Sequence, residues 1–228
     1  IEKCKEDNDL SWVNFAKCKP VICEAEAFSR AVYFAEYVGN ALLVVHTTNG
    51  DALNTARRAH GKGMPLYVET GPHYLTLFDD LYKGENGHLA ICSPPLRTPK
   101  EAEELWEGLK DGTILLTGSD DCTFDVDEKS MFLEKNPDGT WKQDFTKVVN
   151  GMSSIEIRLP ILLSEGVSKG RISINKVCEL TSTNIAKVYG CYPQKGIIAP
   201  GSDADIVLVD MEKEVTLCKD VLHNNISY

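Results

Sequence analysis

Short apolar runs alternate with longer amphipathic segments through the first half of the chain. The amphipathic segments repeat apolar positions at helical spacing, and the first of them stops at Gly39. This pattern predicts helices over residues 22–37, 51–60 and 100–109, and strands over residues 41–45, 65–68, 89–92 and 113–116. The continuous apolarity of the runs is typical of strands buried on both faces, so we expect parallel βα units.

The alternation of apolar runs and amphipathic segments ends after the last of these strands. Residues 125–148 are charged and contain a turn signal, which favours a substrate loop and a plain surface insertion about equally. The remaining sequence predicts helices over residues 155–164, 174–180 and 183–189, and strands over residues 206–209 and 214–217. Ser173 is a candidate cap for the second of these helices, and Thr181 or Ser182 for the third. Residues 1–20 are expected to be irregular.

Composition limits the range of functions. The net charge of −10 without a basic patch argues against a nucleic-acid partner. No apolar stretch reaches the ~18 residues of a membrane span, so we expect no membrane partner and a cytoplasmic location. Eight cysteines occur without a C-x-x-C pair, which favours reduced thiols over a structural zinc site. Among them only Cys122 lies near candidate chemistry, and core packing is the favoured interpretation even there.

Polar residues with useful chemistry follow several predicted strands. His46, His73, Ser93 and Asp120 lie at or beyond the carboxyl ends, where parallel sheets bind their ligands. Each has a structural interpretation on its own, as a hydrogen-bonded histidine, a loop former or a turn cap. Together, imidazole and carboxylate suit a divalent metal that activates water, with a carboxylate as proton acceptor. Two donors cannot complete such a site, because zinc takes three or four protein ligands.

Three motifs extend the argument in the order in which they occur. They are SPPLR, NG-x-x-x-x-E-x-R-LP and KG-x-I-x-PGSDAD-IV, and they begin at residues 93, 150 and 195. With VVH and GSD before them, they make the chain from about Glu24 onward resemble the hydantoinase and dihydropyrimidinase branch of the cyclic amidohydrolases. Allantoinases and dihydroorotases are close relatives with overlapping motifs.

The resemblance implies a fold, a cofactor and a reaction. It implies an α/β fold: the C-terminal half of a metal-dependent-hydrolase (β/α)8 TIM barrel over residues 1–194, and part of a small β-sandwich over residues 195–228. By motif, His46 and Asp120 would bind metal, and Asp120 would also be the general base. Ser93 and Asn150 would hold the substrate through backbone groups. The family uses two divalent metals, usually zinc, bridged by a carboxylated lysine, to open hydantoin or dihydropyrimidine rings.

The chain departs from the family pattern in two ways. Asp121 stands where the family motif GSDH has histidine, and this would make the site more negative. The family's H-x-H strand, its lysine and a further histidine precede the matching part, and H-x-H does not occur in this sequence. We therefore expect these residues to be the C-terminal half of a larger enzyme, inactive alone, that forms dimers or tetramers. A non-catalytic scaffold of the same fold remains the alternative.

Overall fold

The computed structural model describes residues 1–224. The helices and strands alternate in the first half, and short helices dominate the second. In chain order they are α1 (Glu2–Glu6), α2 (Asn14–Cys18), α3 (Val21–Val38), β1 (Leu42–Val44), α4 (Gly50–Gly61), β2 (Leu66–Thr70), α5 (Pro72–Thr76), α6 (Pro99–Asp111), β3 (Leu116–Thr117), α7 (Val126–Lys129), α8 (Arg158–Ile161), α9 (Ile174–Cys178) and α10 (Asn184–Val188). None of the helices within residues 1–224 is long and apolar enough to cross a membrane.

The three strands form a parallel sheet in the order β1-β2-β3. Leu42 pairs with Leu66 across the first strand pair, and Glu69 pairs with Leu116 across the second. The predicted parallel βα units are therefore confirmed for these strands. Because all three run in the same direction, their carboxyl ends meet at one edge.

Local sequence explains where the three long helices begin and end. Helix α3 stops at Gly39, whose φ of 71° is in the left-handed region that glycine adopts without a Cβ penalty. Helix α4 begins after Asn49, whose side chain accepts a hydrogen bond from the backbone of Ala52. Helix α6 begins with a capping box between Thr98 and Glu101. These helices match the three predicted in the first half.

One apolar core joins the helices to the sheet. Its members are buried aliphatic and aromatic side chains from α4, β2, α6 and the segments around them; Leu53, Leu66, Val68, Leu105 and Ile114 are among them. Trp12 and Phe15 also belong to this core, at 0% and 3% exposure. The expectation that residues 1–20 are irregular is therefore wrong. This segment forms α1 and α2, and the closely spaced Trp12 and Phe15 pack α2 against the core.

Three predicted strands are not formed. Residues 89–92 contain the end of a 3₁₀ turn, Gly87–Ala90, followed by extended backbone that belongs to no strand. Residues 206–209 and 214–217 are not strands either, and the side chain of Leu208 is 94% exposed. An apolar run makes a strand only when a neighbouring strand satisfies its backbone groups. The last four residues of the predicted second domain, 225–228, lie outside the described part of the chain.

The C-terminal helices contain π-helical segments, and the predicted break between residues 180 and 183 does not form. α8 passes into a π-helical segment at Leu162–Ser168, and α9 passes into another at Glu179–Thr183 before α10. Ser173 caps α9 by accepting a hydrogen bond from the backbone of Lys176, which confirms that predicted cap. The predicted cap at Thr181 or Ser182 is wrong, because both residues lie inside the π-helical segment that runs directly into α10. The charged insertion, residues 125–148, contains α7 and the 3₁₀ turn Phe145–Lys147.

Candidate active site

His46 and Asp120 lie just beyond the carboxyl ends of β1 and β3. Both have left-handed backbone conformations, with φ of 44° for His46 and 49° for Asp120. Such conformations are uncommon for residues other than glycine, cost about 1–3 kcal/mol, and concentrate at functional sites. Asp120 is exposed and His46 is half-buried, so both side chains are accessible at the edge of the sheet.

Glu69 holds the two strand ends together from the middle strand. It is the penultimate residue of β2 and is 8% exposed. Its Oε2 accepts the backbone N–H of His46 at 2.8 Å, and its Oε1 accepts that of Gly118 at 2.7 Å. Burial raises the pKa of Glu69 despite these two hydrogen bonds, which act in the opposite direction. The carboxylate therefore links the turn that carries His46 to the turn that carries Asp120.

The close approach of Glu69 explains the glycine of the GSD motif. A Cβ on Gly118 would collide with the Glu69 carboxylate. Glycine is therefore required where the chain leaves β3 for Asp120. Arg158, the arginine of the motif NG-x-x-x-x-E-x-R-LP, also binds the end of β3: its Nη1 donates a hydrogen bond to the carbonyl of Thr117 at 2.5 Å.

His73 is buried close to His46. It is 2% exposed, and neither ring nitrogen has a hydrogen-bond partner among the described residues. Burial, followed by the charge of His46, lowers the pKa of His73 to about 4. The imidazole is therefore neutral at physiological pH, and its ring lies against that of Tyr74 at a centroid distance of 4.0 Å and an interplanar angle of 52°.

Ser93 and Asn150 meet although 57 residues separate them. The hydroxyl of Ser93 donates to Oδ1 of Asn150 at 2.9 Å, and Lys19 donates from Nζ to the same hydroxyl at 2.6 Å. The side-chain amide of Asn150 donates to the carbonyl of Val148 at 3.1 Å. The two residues that the motifs single out for substrate binding thus form one polar cluster.

Backbone hydrogen bonds connect this polar cluster to the sheet edge. The N–H of Gly151 donates to the carbonyl of Ile91 at 3.1 Å, and the N–H of Cys122 donates to the carbonyl of Met152 at 3.0 Å. Gly151 has φ of 148°, and a Cβ there would collide with the carbonyl oxygen of Cys122. The segments that carry Ser93, Asn150 and Asp120 are therefore joined in a row.

Asp121 holds the loop that follows Asn150 against the end of the sheet. Its Oδ1 accepts the backbone N–H of Ser154 at 2.7 Å and that of Ile155 at 2.9 Å. Partial burial acts to raise the pKa of Asp121, but the hydrogen bonds from Thr123 and from these N–H groups outweigh it and lower the pKa. The carboxylate that replaces the family histidine thus anchors the loop after Asn150.

Sequence reasoning missed several supporting residues. The sequence analysis does not single out Glu69, although an acidic residue near the end of an otherwise apolar strand is a usable signal. The arginine of SPPLR, Arg97, is paired with Glu24 at 3.0 Å, and both side chains are largely buried. Arg97 also donates from Nη1 to the carbonyl of Lys19 at 2.6 Å. The motif arginine therefore fixes the segment before α3 rather than a substrate.

The metal donors at this edge form a partial set. His46 and Asp120 offer a nitrogen and carboxylate oxygens, the donors that zinc and similar ions accept. Within residues 1–224, no three His, Cys, Asp or Glu side chains are grouped so as to hold a metal ion. The donor chemistry fits a divalent metal, and the remaining ligands of such a site have to come from outside this described part.

Comparison with known proteins identifies the class. The model of the Amidohydrolase family matches residues 1–226. The chain belongs to the amidohydrolase family.

Particular relatives narrow this further. The chain is 40% identical over 214 residues to the D-phenylhydantoinase of Escherichia coli O1:K1 / APEC, covering 93% of this chain and 45% of that protein. The crystal structure of the D-hydantoinase from Bacillus sp. AR9 aligns with a TM-score of 0.92 at 38% identity, over 100% of this chain and 48% of the other. The dihydropyrimidinase from Brevibacillus agri NCHU1002 aligns with a TM-score of 0.82 at 37% identity, over 89% and 43%. The resemblance read from the motifs is thereby confirmed, and the chain spans about half the length of these relatives.

Proposed function

We propose that this chain is the C-terminal half of a metal-dependent cyclic amidohydrolase. The complete enzyme opens a hydantoin or dihydropyrimidine ring and releases an N-carbamoyl amino acid. The names of the relatives, hydantoinase and dihydropyrimidinase, support this reaction class. The observation that carries the proposal is that Glu69, on the middle strand, binds the backbone N–H of His46 and that of Gly118, and so links the turn of His46 to the turn of Asp120.

The cofactor in this proposal is a divalent metal, most simply two zinc ions bridged by a carboxylated lysine. His46 and Asp120 supply donors from this chain, and the lysine and other ligands belong to the rest of the protein. When bound, the metal would acidify water and polarise the carbonyl of the amide.

Each residue of the site has a defined role in the proposed reaction. Asp120 accepts the proton of the attacking water and returns it to the ring nitrogen as the C–N bond breaks. Backbone groups at Ser93 and Asn150 hold the cyclic amide in the orientation for attack. His73 is buried close to His46 and is neutral. A positive charge on His73 would repel a metal ion bound by His46 and so weaken metal binding. Asp121 positions the loop that follows Asn150.

We extend the proposal to domains and assembly. Residues 1–194 belong to a barrel, and residues 195–228 belong to a small β-sandwich completed by strands from elsewhere in the protein. The exposed apolar side chains of Ile206, Val207 and Leu208 support the need for such partner strands.

The proposal also includes assembly into a dimer or tetramer. Exposed aromatic residues on α3, among them Tyr33 and Tyr37, support an interface with another subunit.

The decisive experiment uses the full-length protein that contains this chain, loaded with zinc. We expect it to hydrolyse hydantoins or dihydrouracil, and a panel that includes allantoin and dihydroorotate separates the close relatives. Asp120→Asn should lower kcat by about 10²–10⁴ because the proton acceptor is lost. The control Asp80→Asn alters an exposed carboxylate and should leave kcat unchanged. An inactive, fully metal-loaded protein would overturn the proposal.

Metal analysis separates the enzyme from the scaffold alternative. About two ions per subunit support the enzyme, because the proposed site is binuclear. A folded protein without bound metal after incubation with zinc supports a scaffold. His46→Ala should reduce the bound metal in the first case and have no effect on it in the second.

A further inference from the structure

Lys129 is a fully buried lysine at the end of α7, within the charged insertion. Its ammonium group lies among main-chain carbonyls. Nζ donates to the carbonyl of Gly151 at 2.6 Å, to that of Leu89 at 2.7 Å and to that of Ile91 at 3.0 Å. An ammonium group has three N–H donors, so these carbonyls match its full donor capacity.

The three carbonyls belong to two segments that are distant in sequence. Leu89 and Ile91 precede Ser93, whereas Gly151 directly follows Asn150. The same segments are joined by the backbone hydrogen bond from Gly151 to Ile91. Lys129 thus binds both segments whose side chains Ser93 and Asn150 are hydrogen-bonded to each other.

We propose that Lys129 is a positioning residue that sets the spacing between Ser93 and Asn150. It ties the backbone on both sides of the substrate cluster to the charged insertion, and its effect on catalysis rests on the proposed function. This gives residues 125–148 a role in the active site without direct contact with substrate.

The buried charge of Lys129 constrains the carbonyls around it. Removing an ammonium group from water is unfavourable unless hydrogen bonds replace its hydration. Burial accordingly lowers the pKa of Lys129 to about 8. Charge-assisted hydrogen bonds are short and directional, so the ammonium restricts where each carbonyl can lie. An apolar side chain of similar length would fill the space without that restriction.

A kinetic experiment tests the consequence for substrate binding. In the full-length, zinc-loaded protein, Lys129→Met should raise KM about tenfold or more while kcat changes by less than about threefold, because the substrate cluster loosens and the metal donors stay in place. The matched control Lys142→Met removes an exposed lysine of the same insertion and should leave both constants unchanged. Propylammonium should restore KM in Lys129→Ala by replacing the missing ammonium. Unchanged KM in a folded Lys129→Met enzyme overturns the proposal.

Hydrogen exchange tests the same proposal independently of activity. Lys129→Met should increase amide exchange about tenfold in both segments 89–95 and 148–153, and leave α4 unchanged. If wild type hydrolyses no cyclic amide but this paired increase occurs, the proposed function fails and the positioning role stands. If exchange is unchanged in both segments, the positioning role fails. Should Lys129→Met not fold, Lys129→Gln, which keeps two N–H donors, should show a smaller increase in the same two segments.

Discussion

His88 provides the most direct quantitative prediction. It lies fully buried in the 3₁₀ turn Gly87–Ala90, with its ring 5.4 Å from that of Trp12 and 5.9 Å from that of Trp141. Neither ring nitrogen has a hydrogen-bond partner among the described residues. Burial, followed by the charge of Lys129, lowers the pKa of His88 from 6.5 to about 4. The folded protein therefore holds this imidazole in its neutral form.

The sign and size of the effect on stability follow from proton linkage. The unfolded chain binds a proton at His88 near pH 6.5, whereas the folded protein binds it only near pH 4. Between these values the unfolded state holds more protons, so the free energy of unfolding falls as the pH is lowered. At about 1.4 kcal/mol per pKa unit, the full loss is about 3 kcal/mol.

The assay compares wild type with His88→Phe, which keeps an aromatic ring but cannot be protonated. Urea unfolding of the metal-free, full-length proteins is followed by tryptophan fluorescence from about pH 7.5 to about pH 4. Metal-free protein is used because metal release would add its own pH dependence. Each protein also titrates at its other groups, and that contribution cancels in the difference between the two.

The expected result concerns the difference between the two proteins. His88→Phe should gain about 3 kcal/mol relative to wild type between the two ends of the pH range, whatever its relative stability at the upper end. A difference that stays constant within about 0.5 kcal/mol across the range would show that His88 is hydrated or hydrogen-bonded in the folded protein. The reasoning from burial would then be wrong.

Two further predictions concern the geometry of the site. Gly151→Ala should destabilise the protein by about 3 kcal/mol in urea unfolding, because its Cβ collides with the Cys122 carbonyl. The control Gly139→Ala is also at positive φ but in open space, so it should lower the free energy of unfolding by only about 1 kcal/mol. Glu69→Ala should cost about 2–4 kcal/mol and weaken zinc binding measured by calorimetry, because two backbone donors lose their acceptor. The control is Glu104→Ala, which removes a half-buried carboxylate that accepts one backbone N–H; it should cost only about 1 kcal/mol and leave zinc affinity unchanged. Equal effects within either pair would contradict the explanation.

The sequence alone determined the elements whose information is local. The helical periodicity of residues 22–37, 51–60 and 100–109 corresponds to α3, α4 and α6, because amphipathic spacing and capping residues lie within each segment. The apolar runs before His46 and before Asp120 indicated β1 and β3, because continuous apolarity is also a local property. The second run, predicted as residues 113–116, overlaps β3 only at Leu116. Their order predicted parallel strands, and the carboxyl ends of parallel strands are where ligand-binding residues collect.

The sequence wrongly predicted strands at residues 89–92 and 206–209. These runs are as apolar as β1, but a strand also needs a neighbour to pair with its backbone. At Leu89 and Ile91 the carbonyls bind the ammonium of Lys129 instead. Apolar composition records the tendency to be buried, and it carries no information about which group will satisfy the backbone.

The supporting parts of the site were decided only by the tertiary structure. The sequence indicated His46, Ser93, Asp120 and Asn150 as candidates, and their roles remain predictions. It could not show that Glu69 joins the turns of His46 and Asp120. Nor could it show that a lysine 21 residues before Asn150 lies between the segments that carry the substrate cluster. Hydrogen bonds between distant residues depend on how the chain packs, and local sequence patterns report only what neighbouring residues do.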